Sequence, residues 1–174
     1  MIKLKQPALA LHSCDVPGYR YKMQTTWLMP KGASVANVVY WIDWAIQNSA
    51  NQRLENVVIN CHGRGGFLGV GGRNKGFGIE GTKLFYKFRG KNAIGTIWLV
   101  ACDVGGGDGL GMNFCSALAK ATDSKVIAGM GTQRVESMFD FFRPNECIDE
   151  FEGGAYYYKE GEMGTWSNSF GKEY

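Results

Sequence analysis

The chain lacks any hydrophobic run long enough to cross a bilayer, so no helical membrane span is expected. Nor is a signal peptide expected from the first residues: Met1-Ile2-Lys3-Leu4-Lys5-Gln6-Pro7 is followed by only a brief apolar stretch that stops at His12. Charge of one sign is scarce. Nineteen Lys and Arg against 16 Asp and Glu leave +3, too little to argue for nucleic acid. The loose basic residues between Arg64 and Lys91 read as a solvated face. Cysteines number five, an odd count without regular spacing, so a disulfide framework is not indicated and a reduced compartment is the simpler reading. A cytoplasmic location is expected, or delivery into a target cell as an effector without a cleaved signal.

Other absences remove particular ligands. The glycine-rich stretch at 105–109 lacks the dinucleotide spacing, because position 110 is Leu and position 112 is Met, and no Gly-Lys-Ser/Thr follows. The residues His12, Cys14, Cys61, His62 and Cys102 show none of the close-knuckle spacing of a zinc site, so no metal is expected. There are no internal repeats and no low-complexity linker. With 174 residues, 45% apolar and 20% charged, the composition fits one globular domain over residues 1–174 with a sizeable core.

What the chain does have is two hydrophobic runs that each end in a reactive residue. The first is Val57-Val58-Ile59-Asn60-Cys61-His62-Gly63; the second is Ile97-Trp98-Leu99-Val100-Ala101-Cys102-Asp103. Read as buried parallel strands over 55–61 and 95–101, they bring an imidazole and a thiol to one sheet edge, where open α/β sheets place ligands. Around them the pattern predicts a strand from Pro7 to Ser13, a second extended segment from Tyr21 to Met29 and an amphipathic helix over 34–48 with Ser34 as its cap. A short hairpin around Phe67–Val70, a helix near 82–89, a helix at 110–122, a strand at 125–129 and a hairpin of Ala155–Lys159 with Met163–Ser167 complete the reading. This alternation points to a mostly parallel sheet covered on both faces, an α/β three-layer sandwich with a C-terminal aromatic and glycine-rich hairpin.

Taken alone, His62 at a strand end is more often structural than chemical. Gly63 after it permits a sharp turn and close approach to a ligand. Cys102 taken alone reads as inert core, yet it precedes a glycine-rich loop and a helix N-terminus, which favour a thiolate. Asp103 opposes that unless its carboxylate turns away. Together the two residues form the minimum set for nucleophilic catalysis.

Four apolar residues then His-Gly, and four apolar residues then Ala-Cys, resemble the signature of the caspase-like clan of cysteine peptidases: caspases, legumains, gingipains, clostripains, separases and the self-processing protease domains of bacterial toxins. The continuation Val100-Ala101-Cys102-Asp103-Val104-Gly105, then Gly109, Phe114, Leu118-Ala119, Thr122 and Val126-Ile127-Ala128, is similar to the toxin branch. The likeness covers residues 55–130, is weaker over 1–54 and is not evident over 139–174. Asn60-Cys61 departs from the small or apolar pair common before the His, which leaves the role of Cys61 open.

The resemblance implies a caspase-hemoglobinase-like fold and a cysteine endopeptidase acting on a protein or peptide, with no organic cofactor. In that reading Cys102 is the nucleophile, His62 the acid–base, and the backbone N–H groups of Gly63 and Cys102 bind the oxyanion, at about 3–4 kcal/mol per well-placed donor. The clan usually has no essential third acid, so the resemblance implies none here. Met130 to Glu136 would pair with substrate as an added strand. Acids near the strand ends, Asp15, Asp103 and Asp108 beside His12, would favour Lys or Arg in the substrate; the competing reading makes them turn residues and caps. A catalytically inactive caspase-like recognition module is the alternative function, and the oligomeric state is left open.

Overall fold

The apolar runs become the strands of one central sheet. The computed structural model describes residues 1–17, 20–106, 109–133, 144–167 and 173–174. In chain order its strands are β1 (Ile2–Lys3), β2 (Ala8–Ser13), β3 (Thr25–Met29), β4 (Leu54–Asn60), β5 (His62–Arg64), β6 (Phe67–Gly69), β7 (Ile94–Val100), β8 (Lys125–Gly129), β9 (Cys147–Ile148), β10 (Ala155–Lys159) and β11 (Glu162–Trp166). Two α-helices, α1 (Val35–Gln47) and α2 (Leu110–Thr122), and a long 3-10 segment, Ile79–Phe88, accompany them.

Seven strands pair in the order β11-β10-β8-β7-β4-β2-β3. Neighbours from β3 through β8 run parallel; β10 and β11 are antiparallel. Ranked along the chain, the five parallel strands lie in the doubly wound order 2-1-3-4-5, with β2 and β4 adjacent at the point where the winding reverses. Handedness then decides what covers each face. From β3 onward each crossover advances in one direction, so right-handed connections put α1, the 3-10 segment and α2 on a single face. There Val38, Ile42, Phe85, Phe88, Phe114 and Leu118 pack on Leu9, Leu11, Val57, Ile59, Ile97 and Leu99. The β2-to-β3 crossover runs the other way and therefore covers the opposite face.

That second face carries no helix among the described residues. Its cover is Tyr21 and Met23 from the crossover, Ile2 and Leu4, Ile148 of the β1–β9 pair, and the rings of Phe151 and Tyr174. The sheet thus has a layer on each side, one helical and one of extended chain and aromatic rings.

Two expected elements take different forms. The extended candidate from Tyr21 to Met29 enters the sheet only at Thr25, because Tyr21 and Met23 bury their side chains on the second face instead. The expected helix near 82–89 is a 3-10 segment. Its buried residues are Thr82, Phe85 and Phe88, spaced by three, and three residues per turn keeps such a row aligned where an α-helix would rotate it. The helix begun at Ser34 matches its expected cap: Ser34 Oγ accepts from the Asn37 N–H and the Asn37 side chain returns to the Ser34 backbone, a capping box.

Candidate active site

Strand alternation and register bring His62 and Cys102 together. In β4 and β7, Val58 and Trp98 both point to the helix-free face, and Asn60 pairs with Val100. The Cys61 N–H still donates to the Val100 carbonyl at 3.3 Å, so the pairing persists past the end of the strand. Two residues beyond that last pair the two chains reach His62 and Cys102 on neighbouring run-outs. Both side chains line a cleft of about 320 Å³ at the carboxyl ends of the strands, walled by Val16, Tyr21, Asn60 and Val100.

Gly63 shows how tight this junction is. A Cβ placed there would sit 2.6 Å from the Cys102 carbonyl oxygen, 2.8 Å from the Ala101 Cβ and 3.1 Å from the Cys102 nitrogen. Only glycine lets the His-Gly backbone lie against the Ala-Cys backbone. The hairpin that follows supports it. Leu68 uses its N–H and its carbonyl with Phe77, at 3.0 Å each way, so its pairing with Gly63 is of the non-hydrogen-bonded kind. The Gly63 N–H is therefore left out of the β5–β6 ladder. Among the described residues, the Cys102 N–H donates to no carbonyl either. The two expected oxyanion donors are thus adjacent in space and outside the ladders around them.

Beneath the cleft, His12 is a structural residue. Its Nε2 lies 3.1 Å from the Tyr21 carbonyl, which can only accept, so Nε2 carries the proton; Nδ1 then accepts from the Asn60 amide at 3.1 Å. Both nitrogens are satisfied by the neutral ring. Burial first, with Arg20 adding to it, lowers its pKa to about 4 despite the opposing bond to Tyr21. His12 is the floor on which Asn60 and the crossover rest.

The acidic residues separate into different places. Asp15 stands behind the imidazole, its Oδ2 3.5 Å from His62 Nε2, with the side chain 37% exposed. Burial alone would raise its carboxyl, but the Ser13 hydroxyl at 2.6 Å, the His62 ring and the backbone N–H groups of Asp15 and Arg73 outweigh that and hold it below the ordinary value. Asp103 does not line the cleft. It adopts a left-handed conformation, φ 50°, with its carboxylate turned against Gly106 and its N–H bonded to the Gly131 carbonyl at 2.9 Å. Asp108 lies outside the described residues. So do positions 134–136 of the expected substrate-pairing segment; its described part includes Gln133, whose carbonyl accepts from the Cys102 thiol at 3.7 Å.

Two acids that the sequence did not single out, Asp149 and Glu150, line the cleft from the far side. They follow β9, whose pairing with β1 carries the tail back across the sheet. No motif in that aromatic, glycine-rich stretch signals the return; the Asp-Glu pair itself was the only cue.

The remaining thiols are differently placed. Cys61 is buried on the helical face, and burial, with Asp15 and Cys102 nearby, pushes its thiol far up, so it stays protonated. Burial raises Cys115 to about 12. Cys14 is exposed. Among the described residues no group of three or more His, Cys, Asp or Glu is arranged to hold a metal ion, and no helix is long and apolar enough to cross a membrane. Compared with family models, curated proteins and solved structures, the chain matches none.

Proposed function

We propose that this chain is a cysteine endopeptidase of the caspase-like kind, working through a Cys102–His62 dyad. The observation that carries the reading is the junction itself: His62 and Cys102 line one cleft just past the ends of adjacent parallel strands, and Gly63 lies against Cys102 with no room for a Cβ. An inert core thiol requires no such partner, and a structural His no such glycine.

The chemistry follows from these groups. The thiol gives its proton to the His62 ring, and Sγ attacks the carbonyl carbon of a peptide in the cleft. The oxyanion that forms is met by the Gly63 and Cys102 N–H groups. The imidazolium returns the proton to the amine as the C–N bond breaks, leaving a thioester on Cys102. Water, deprotonated by His62, then attacks the thioester, and the acid product and free thiol are released. Nothing in this sequence of steps needs a cofactor.

Labelling with iodoacetamide, read residue by residue by mass spectrometry, tests the dyad. Cys102 is expected to react faster than the exposed Cys14, and His62→Ala to abolish that advantage. New protein termini generated by the wild-type protein in a proteome digest are expected to vanish with Cys102→Ala, at unchanged thermal stability. Cleavage that persists in purified Cys102→Ala would falsify the reading. Selective labelling without any cleavage would favour the recognition-module alternative.

A further inference from the structure

We propose that this chain pairs with a second copy of itself through the β3 edge of the sheet: two copies related by a two-fold axis lay β3 against β3 and α1 beside α1, and so build one continuous sheet. The proposal goes beyond the catalytic reading and uses none of its residues.

Three observations point to that edge. The first is that it is open and unguarded. β3 is the last strand on its side of the sheet, so one line of its N–H and C=O groups has no strand partner among the described residues. Such edges are ordinarily protected by charge, proline or a bulge. The opposite edge, β11, has this protection: Glu162 stands exposed on it, and its ring, Trp166, packs onto Trp98. In contrast, Thr25-Thr26-Trp27-Leu28-Met29 carries no charge, and its pairing with β2 is regular over all five residues. The second is that apolar side chains flank the edge on both faces. On the helical face Trp27 meets Trp44 and Trp41, at 4.8 and 6.4 Å between centroids. Alternation turns Leu28 to the other face, where it is 45% exposed. The third is the outward side of α1. Tyr40 and Trp44, one turn apart, are 62% and 41% exposed. A solvated helix face ordinarily carries charge. The one charged residue of α1, Asp43, is instead held by Lys87 of the 3-10 segment at 2.8 Å. From Met23 to Gln52 the only charged side chains are Lys31 and Asp43, in a chain that is 20% charged overall. No field there selects a partner of opposite sign.

These features choose the occupant. A lone added strand would satisfy the hydrogen bonds of the edge and leave Tyr40 in water; a lone helix would do the reverse. A second copy brings a strand and a helix together. A two-fold axis runs the two edges antiparallel, and an uncharged, apolar surface is its own complement. The area suffices as well. With about 150–250 Å² for a Tyr or Trp, the exposed parts of Tyr40, Trp44 and Leu28 offer roughly 300 Å² per copy, or roughly 600 Å² for the pair. Trp27, Trp41 and the strand backbone add to that, toward the roughly 1,000 Å² or more of a specific interface. The pairing leaves the candidate site open. β2 stands between β3 and β4, and antiparallel edges point the carboxyl ends of the two copies in opposite directions, so the two clefts open at opposite rims of the joined sheet.

The test weighs the full chain in solution. By sedimentation equilibrium at micromolar concentration, wild type is expected at twice the chain mass of 19.2 kDa. Leu28→Lys, which charges the edge, and Tyr40→Glu, at the most exposed of these rings, are each expected to raise the dimer Kd by about 100-fold or more, because the axis counts every substitution twice. Both side chains are exposed, and thermal melts check that the variants fold. Met163→Lys, on the exposed part of the β11 edge, is expected to leave the mass unchanged. Amide exchange gives a second readout: the Thr25–Met29 amides are expected to slow as wild type is concentrated, and not to slow in Leu28→Lys. A wild-type chain that keeps the single mass up to about 100 µM overturns the proposal. So does a dimer that survives both Leu28→Lys and Tyr40→Glu, a dimer broken only by Met163→Lys, or a mass that grows without limit, the mark of a head-to-tail contact that does not close. The dyad is judged separately, since the iodoacetamide selectivity of Cys102 is expected to be equal in Leu28→Lys and wild type.

Discussion

At His12 a single buried ring sets how the protein responds to acid. It is 2% exposed and saturated as the neutral Nε2–H tautomer, by Tyr21 on one side and Asn60 on the other. Its folded pKa of about 4 lies below the ordinary 6.5, so between those values the unfolded chain binds a proton that the folded chain refuses. By linkage, stability is fully present above about pH 6.5 and drains as pH falls toward 4, by up to about 3 kcal/mol from this residue. The Asp15 carboxyl, held below the ordinary carboxylate value of 3.8, adds stability that is full above that value and is lost only as pH falls beneath it, under the His12 window. Urea unfolding of wild type and His12→Gln across the window checks this: the substitution is expected to flatten the pH dependence. An equal slope in both proteins would place the acid response elsewhere.

Between residue and molecule, the decisive junction is where the run-out of β4 meets the run-out of β7. Gly63→Ala puts a methyl 2.6 Å from the Cys102 carbonyl oxygen. The chain must move, and overpacking of this kind costs about 1–3 kcal/mol. On the proposed mechanism the larger effect falls on catalysis, because a displacement of about 1 Å at reacting groups costs roughly 10²-fold. Gly63→Ala is therefore expected to lose about 100-fold in activity and in Cys102 selectivity toward iodoacetamide while retaining a cooperative melt. Full activity with an intact fold would show that the two backbones need not touch. This junction was legible beforehand because it is written in contiguous residues: an apolar run, a chemical residue and a glycine, twice. The helices were legible for similar reasons, α1 from its apolar spacing and Ser34, and α2 from Phe114, Leu118 and Ala121. The segment Ile79–Phe88 was not, since Thr82 is a core residue there only because a spacing of three aligns it with Phe85 and Phe88. The shortening of β3 was hidden too, as Tyr21 and Met23 suit a strand as well as they suit the second face.

Across the whole molecule, the helix-free face is closed by parts of the chain remote in sequence, and this is where reading along the sequence stops working. Asp149 and Glu150 reach the cleft only because Ile2 pairs with Ile148, and no local pattern announces a contact of that span. Trp98, buried at the centre of the face, donates to Asn56 Oδ1 at 2.7 Å and meets the rings of Phe151, Trp166 and Tyr174. Asn56 in turn donates to the Tyr174 carbonyl at 2.8 Å and to the Lys5 carbonyl at 3.0 Å. One amide thus ties the sheet to both ends of the described chain. If this cover belongs to the cooperative unit, weakening it lowers the stability of everything, including the site. Tyr174→Ala keeps the carbonyl and removes edge-on ring contacts to Trp98 and Trp166, at 6.0 and 5.7 Å between centroids. At about 0.5–1.5 kcal/mol per aromatic pair, the loss is about 1–3 kcal/mol, or about 2–12 °C in Tm at roughly 2–4 °C per kcal/mol for a chain of this size. The expected result is one shifted transition, identical by circular dichroism and by tryptophan fluorescence, with the fluorescence moved to the red as Trp98 gains water. An unshifted Tm, or a fluorescence change that precedes the loss of secondary structure, would mean that the cover opens on its own and that Asp149 and Glu150, which follow β9, are not held as firmly as His62 and Cys102.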